Sequence, residues 1–213
     1  MKISLSVFAC PEAQLDAIPY IDGIQSLHFD FMDGSCVPLT GVSLQTFRNV
    51  ASQTILPLDV HLMVNDQAWW LNGLTSIACV RRAILTIEHC SNPELKSLLG
   101  MAKENGCSPW VAIWPDTPVS QLESLSLLFD GILIMTSLAG TPGSVFLDSS
   151  YERVRLISKL FPDKRIMLDG GINASRLSRF SKYGIEESVI GRAFFDGHER
   201  TLLKKLCMEE TNA

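Results

Sequence analysis

Three short stretches of the chain carry side chains of the kind that chemistry uses. Residues 26–34, SLHFDFMDG, put His28 and Asp30 two apart in an otherwise apolar run, followed by Met32, Asp33 and Gly34. Residues 57–64, PLDVHLMV, repeat the device with Asp59, His61 and Met63, and MLDGG at 167–171 ends a third apolar run in Asp169. Alternate side chains of a strand share a face, so His28, Asp30 and Met32 point one way while Leu27, Phe29 and Phe31 point the other. Taken singly, each polar residue has a plainer reading: a histidine hydrogen-bonded in a core or at its rim, an aspartate that caps or turns. Taken together, several ionisable groups inside apolar strands are costly to bury without a counter-ion. Two imidazoles and two carboxylates gathered at one place suit one borderline divalent ion, zinc, iron, manganese or cobalt. His28, Asp30, His61 and Asp169 are therefore the candidate metal ligands. Asp33, beside Gly34, reads as a turn residue.

Such a meeting needs strands whose ends lie side by side. Short runs rich in Val, Ile, Leu and Phe alternate with longer stretches of helical period, the pattern of strands buried on both faces and their covering helices. Strands are expected near 2–8, 25–31, 57–63, 82–88, 109–114, 131–136, 165–169 and 187–191, and helices at 11–20, 43–53, 66–74, 93–105, 118–126, 149–160, 173–183 and 197–208. Ser43 before LQTF, SNPEL at 91–95 and DTPVSQLESL at 116–125 are helix-start signals. Eight strand–helix units in 213 residues match a small parallel barrel ringed by helices, with an open doubly wound sheet as the alternative. In a barrel the His and Asp face turns inward, and its C-terminal strand ends build the active site. Met32, Met63 and Met135 also end strands, where they either fill the core or line a pocket and exclude water.

The loops after the last three strands supply a second theme. SLAGTPGS at 137–144, with Gly140 and Gly143, DGG at 169–171, with Gly170 and Gly171, and IGRAFF at 190–195, with Gly191, fall where barrels commonly build a phosphate site from backbone N–H groups. Arg192 would add a cation there, or sit on the surface. Bulk composition limits the other options. A net charge of -5 and a pI near 5.4, with no run of Lys or Arg, argue against a nucleic-acid partner or an anionic membrane. No apolar stretch reaches membrane-span length, and the N-terminus lacks a signal-peptide pattern. Six cysteines without a C-x-x-C pair read as free thiols in a reducing, cytoplasmic setting. With no linker-like tract in the sequence, residues 1–213 read as a single domain.

At this point the chain resembles the ribulose-phosphate 3-epimerase family over nearly its whole length. The family's H-x-D-x-M-D-G is matched by His28, Asp30, Met32, Asp33 and Gly34, followed by Val37 and Pro38. Its D-x-H-x-M is matched by Asp59, His61 and Met63, its D-G-G by Asp169, Gly170 and Gly171, and its G-S-A by Gly191, Arg192 and Ala193. The resemblance implies a (β/α)8 TIM barrel of the ribulose-phosphate-binding type and one divalent metal on His28, Asp30, His61 and Asp169. It further implies Asp30 and Asp169 as the acid/base pair, Ser6 on the sugar, a ketose-phosphate substrate and, by analogy, a homo-oligomer, dimer or hexamer. Four departures stand out: Leu138 to Ser144, with Pro142, replace N-P-G-F-G-G-Q; Arg192 replaces a serine; Ala9 replaces the second N-terminal serine; Glu88 replaces a histidine after strand four. Pro142 cannot donate a backbone N–H, so the grip on phosphate or the closure of the loop must differ. Two other readings stay open, a catalytically weak sugar-phosphate-binding paralogue with a sensor or interaction role, and a decarboxylase or synthase. The decarboxylase version of the second is disfavoured by the lack of an obvious inward lysine beside the carboxylates.

Overall fold

The computed structural model describes residues 1–138 and 145–211. Eight strands, β1 (Lys2–Ser6), β2 (Ser26–Met32), β3 (Leu58–Met63), β4 (Val80–Thr86), β5 (Ser108–Ile113), β6 (Gly131–Met135), β7 (Arg165–Asp169) and β8 (Glu187–Ile190), pair in parallel and in chain order. β8 pairs with β1 and closes the ring. The open-sheet alternative is thereby excluded. Among the described residues seven α-helices lie outside: α1 (Leu44–Ala51), α2 (Gln67–Thr75), α3 (Asn92–Glu104), α4 (Ser150–Leu160), α5 (Ala174–Phe180), α6 (Arg192–Phe195) and α7 (Gly197–Thr211).

Two expected helices take a tighter form. Glu12–Tyr20 and Val119–Leu125 are 3-10 segments. In the second, Val119, Leu122 and Leu125 are the buried residues, a spacing of three that suits three residues per turn and not 3.6. In the first, the sequence offers only weak amphipathy between Pro11 and Pro19, so little rewards a full α-helix. The helix expected at 173–183 is α5 followed by a 3-10 turn at Ser181–Tyr183. α6, and a 3-10 turn at Ile87–His89, were not anticipated. Among the anticipated starts, Ser43 Oγ accepts from Thr46 N–H at 3.0 Å, and Ser91 N–H and Oγ donate to Glu94.

The alternation expected of β2 sorts its side chains as predicted. Phe29 and Phe31 face the helices, with Phe29 edge-on to Phe47 at 5.0 Å and Phe31 against Trp70 at 5.2 Å between centroids. The inner face stacks three layers. At the bottom, Asp59, Glu187 and Arg82 are sealed from solvent together with Ser4 and Ser26. Arg82 donates to Glu187 at 2.6 Å and to Glu186, Arg81 donates to Asp59 at 2.5 Å, and Ser26 Oγ donates to Glu187 at 2.5 Å. Above lies a small apolar plug of Ile84, Trp110, Leu133, Met167 and Val189. Trp110 fits because residue 131 has no side chain: a Cβ on Gly131 would lie 2.5 Å from the indole. The third layer is the mouth.

Candidate active site

At the C-terminal ends of the strands a cavity of about 640 Å³ opens. Asp30, 6% exposed, and Asp169, partly exposed at the tip of β7, line it, with His28 and His61 fully buried beside them. The register places Asp30 opposite His61 on β2 and β3. His28 Nε2 and His61 Nδ1 each lie 3.2 Å from Asp30 Oδ1, and His28 Nε2 lies 3.9 Å from Asp169 Oδ2. One ligand atom from each of the four residues lies within 4.8 Å of the other three.

This donor set fits a metal ion. Bonds of about 2.1 Å in a tetrahedron place neighbouring ligand atoms about 3.4 Å apart, close to the separations seen, and the mixture of nitrogen and carboxylate oxygen is one that borderline divalent ions take. In the metal-free site these groups shift one another's proton affinity. Burial works against the charged form of Asp30, but the charge and hydrogen bond of His28, with His61, outweigh it and hold this carboxyl well below the usual range. Burial and the charge of Asp30 together push Asp169 up to about 7. His28 is lowered by burial but raised more by Asp30, to about 9, whereas burial prevails at His61 and lowers it. One site thus holds an ionised and a protonable carboxyl side by side.

Asp30 is reached by Ser6 as well, whose Oγ donates to Oδ2 at 3.5 Å. Met32, Met63 and Met135 all line the cavity and are nearly buried. Gly170 and Gly171 take positive φ, +119° and +65°. A Cβ on Gly170 would fall 2.3 Å from Ser137 Oγ, so the turn that presents Asp169 tolerates only glycine. Gly191 lies against Ala9, where a Cβ would come within 2.8 Å. Arg192 is exposed, lines the cavity, and makes no hydrogen bond or ion pair among the described residues. Gly140, Gly143 and Pro142 lie outside the described residues.

Two residues of the quoted motifs lie away from the mouth. Asp59 shares a face with His61 but sits a layer lower, ion-paired to Arg81 and Arg82. Asp33 Oδ1 accepts from Ser35 N–H at 2.9 Å and turns the chain, as its neighbouring glycine suggested. Glu88 does not line the cavity; its Oε1 accepts from Trp114 N–H and Thr117 Oγ, both at 2.7 Å.

The sequence reading missed several residues that the fold brings in. Arg176 lines the cavity, donates to the Gly171 carbonyl and lies 4.8 Å over the Phe146 ring. Gly41 lets the loop after β2 return against that strand: its N–H donates to Met32 O and that of Val42 to Asp30 O, each at 2.9 Å. A Cβ there would lie 2.2 Å from the Asp30 carbonyl. No local motif marks either position.

A closed parallel barrel whose ionisable side chains gather at its C-terminal mouth is a TIM-barrel enzyme. The model of the ribulose-phosphate 3 epimerase family matches residues 3–195. The ribulose-phosphate 3-epimerase of Treponema pallidum (strain Nichols) is 29% identical, over 89% of this chain and 88% of that protein. That of Escherichia coli (strain K12) is 28% identical over 82% and 78%. Among solved structures, 3-hexulose-6-phosphate synthase from Salmonella typhimurium superposes with a TM-score of 0.77 at 14% identity, covering 98% of this chain and 99% of that one. KGPDC from Streptococcus mutans gives 0.75 at 10% identity, covering 98% and 96%. These two likenesses show the fold alone. The chain belongs to the ribulose-phosphate 3-epimerase family, and with it to the isomerases that epimerise carbohydrates.

Proposed function

We propose that the protein epimerises a ketose phosphate at C3, converting ribulose 5-phosphate to xylulose 5-phosphate or acting on a close analogue, with one divalent metal held by His28, Asp30, His61 and Asp169. The observation that carries this reading is the convergence of His28, Asp30, His61 and Asp169, whose ligand atoms lie within 4.8 Å of one another at the mouth; in the metal-free site Asp30 is held well below the usual carboxylate range and Asp169 is pushed up to about 7. Pairs of titratable groups pushed apart by their surroundings divide into base and acid. Inversion next to a carbonyl needs a proton removed from one face and another returned to the opposite face. Asp30 takes the C3 proton, leaving an enediolate, and Asp169 supplies a proton to the other face of C3; the reverse reaction exchanges their roles. Zinc, iron, manganese or cobalt, when bound, supplies Lewis-acid stabilisation of the charge that develops on the substrate oxygens. Ser6 holds Asp30 and faces the sugar, and the three methionines keep water from the reacting carbon.

The phosphate binds at the far side of the mouth, where Gly170, Gly171 and Gly191 bring backbone close to the ligand; Gly140 and Gly143, which follow β6 in the sequence, are assigned to the same grip. Arg176 and Arg192 give that end two cations. Phosphate binding there supplies energy that orients the sugar over the carboxylates. We read residues 1–213 as one domain, working as a homo-oligomer, dimer or hexamer, in the cytoplasm, with neither nucleic acid nor membrane as a partner. Among the described residues no helix is long and apolar enough to cross a membrane.

Metal analysis of the purified protein, coupled to deuterium incorporation at C3 of pentulose and hexulose phosphates in heavy water, tests the proposal. Bound metal and label at C3 of one substrate are expected, with Asp30→Asn and Asp169→Asn losing turnover. Wild-type turnover in both variants refutes the two-carboxylate assignment. Binding of the sugar phosphates without exchange points instead to a non-catalytic sensor, the reading that the altered 138–144 segment motivates.

A further inference from the structure

Two strands run past their last ladder pair with a neighbour at the mouth, and the chain takes up the free backbone differently at each. β2 passes the end of β1, and the backbone of Gly41 and Val42 takes up its carbonyls. β4 passes its last register partner on β3, the pair Leu62–Leu85. There a side chain completes the ladder: Gln67 Oε1 accepts from Thr86 N–H at 3.1 Å, and Gln67 Nε2 donates to Thr86 O at 2.9 Å. One carboxamide does the work of a missing peptide group. Gln67 is 2% exposed and Thr86 fully buried, so water does not replace these bonds, and a buried backbone group left unpaired is costly. Gln67 itself is anchored as the first residue of α2, whose N-cap Asp66 accepts from Trp69 N–H at 2.9 Å.

Thr86 pinned in this way sets its hydroxyl 3.4 Å from His61 Nε2, while Nδ1 of the same ring faces Asp30. A neutral imidazole has one N–H and one lone pair, and the partner of one nitrogen decides which the other presents. A hydroxyl both donates and accepts. Thr86 therefore serves either state of the ring: it donates to Nε2 when Nδ1–H faces Asp30, and accepts from Nε2–H when Nδ1 must offer its lone pair. His28 has no such support, for its Nδ1 is buried without a partner among the described residues.

We propose that Thr86, locked by Gln67, is the positioning residue of the metal centre: when His61 Nδ1 offers its lone pair to the ion, the Thr86 hydroxyl accepts from Nε2–H and fixes the ring. The inference rests on the metal-centre reading given above. Partners of ligating histidines typically change metal affinity by about 10- to 100-fold when removed, and Thr86→Val deletes the hydroxyl with little change of shape. The test measures Zn²⁺ affinity of metal-stripped protein by competition with a chelator, alongside nitrogen-15 shifts of the His61 ring in the metal-free protein. Thr86→Val is expected to bind Zn²⁺ at least about tenfold more weakly, with Thr86→Ser within about threefold of wild type, and to move the Nε2 resonance. Gln67→Ala is expected to speed hydrogen exchange at the Thr86 amide and to lower Zn²⁺ affinity less than Thr86→Val. Equal Zn²⁺ affinity in wild type and Thr86→Val, or an Nε2 resonance unmoved by the substitution, overturns the proposal. A wild-type protein that binds no divalent ion overturns the metal-centre reading instead, and the ring shifts still decide whether Thr86 holds His61.

Discussion

In a chelator at pH 8, Asp169→Asn is expected to make the fold more stable while removing its activity. Asp169 stands at the tip of β7, where burial and the charge of Asp30 raise its pKa from 3.8 to about 7. A group that holds its proton more tightly when folded loses stability for the fold as pH climbs from its unfolded to its folded value. The window here runs from about pH 4 to about pH 7. Three pH units at about 1.4 kcal/mol each set a ceiling of roughly 4 kcal/mol, and about half of that is expected once neighbouring charges readjust. Asparagine keeps the shape of the protonated acid and never ionises. Loss of the pull of Asp169 on His28 works the other way and is smaller, since Asp30 dominates that imidazole. Urea unfolding at pH 4 and pH 8 is the assay. The variant should match wild type at the lower pH, exceed it by about 2 kcal/mol at the higher, and fall behind once saturating metal is added, because wild type alone keeps all four ligands. A variant no more stable than wild type at pH 8 in chelator refutes the reasoning.

Two further outcomes can be checked with the same preparations. Arg82→Met leaves Asp59 and Glu187 buried with Arg81 as their remaining cation, so unfolding should cost about 3–5 kcal/mol less and the melting temperature fall by roughly 10 °C; a loss under about 1 kcal/mol would mean that the lower layer is wet. Arg192→Ser should raise KM for the phosphorylated substrate by about tenfold or more, the worth of a charge-assisted hydrogen bond, with kcat and Zn²⁺ affinity little changed; an unaltered KM assigns Arg192 to the surface.

What the sequence disclosed follows the range of each signal. The period of two along SLHFDFM named the inward face of β2, and the same interval in LDVHLM named His61, because pleating is a local property. Tight turns were legible where glycine is obligatory, as at Gly170. The depth of a residue within the barrel is not local: Asp59 and His61 share a face, and only closure, which sets Arg82 and Glu187 beside Asp59, separates a foundation residue from a site residue. Gln67 and Arg176 escaped notice for the same reason, since each matters through a partner from another loop or strand. The 3-10 segments escaped because apolar spacings of three and of three to four residues look alike over two turns.

The layer of paired charge around Arg82, with the apolar plug above it, makes the tube a blind-ended cup. Among the described residues the C-terminal mouth is then the way in for the substrate, ion and solvent protons of the proposed reaction. The base is free to stay rigid while the rim loops diverge, which is where this chain differs from the family pattern, at Leu138 and Arg192.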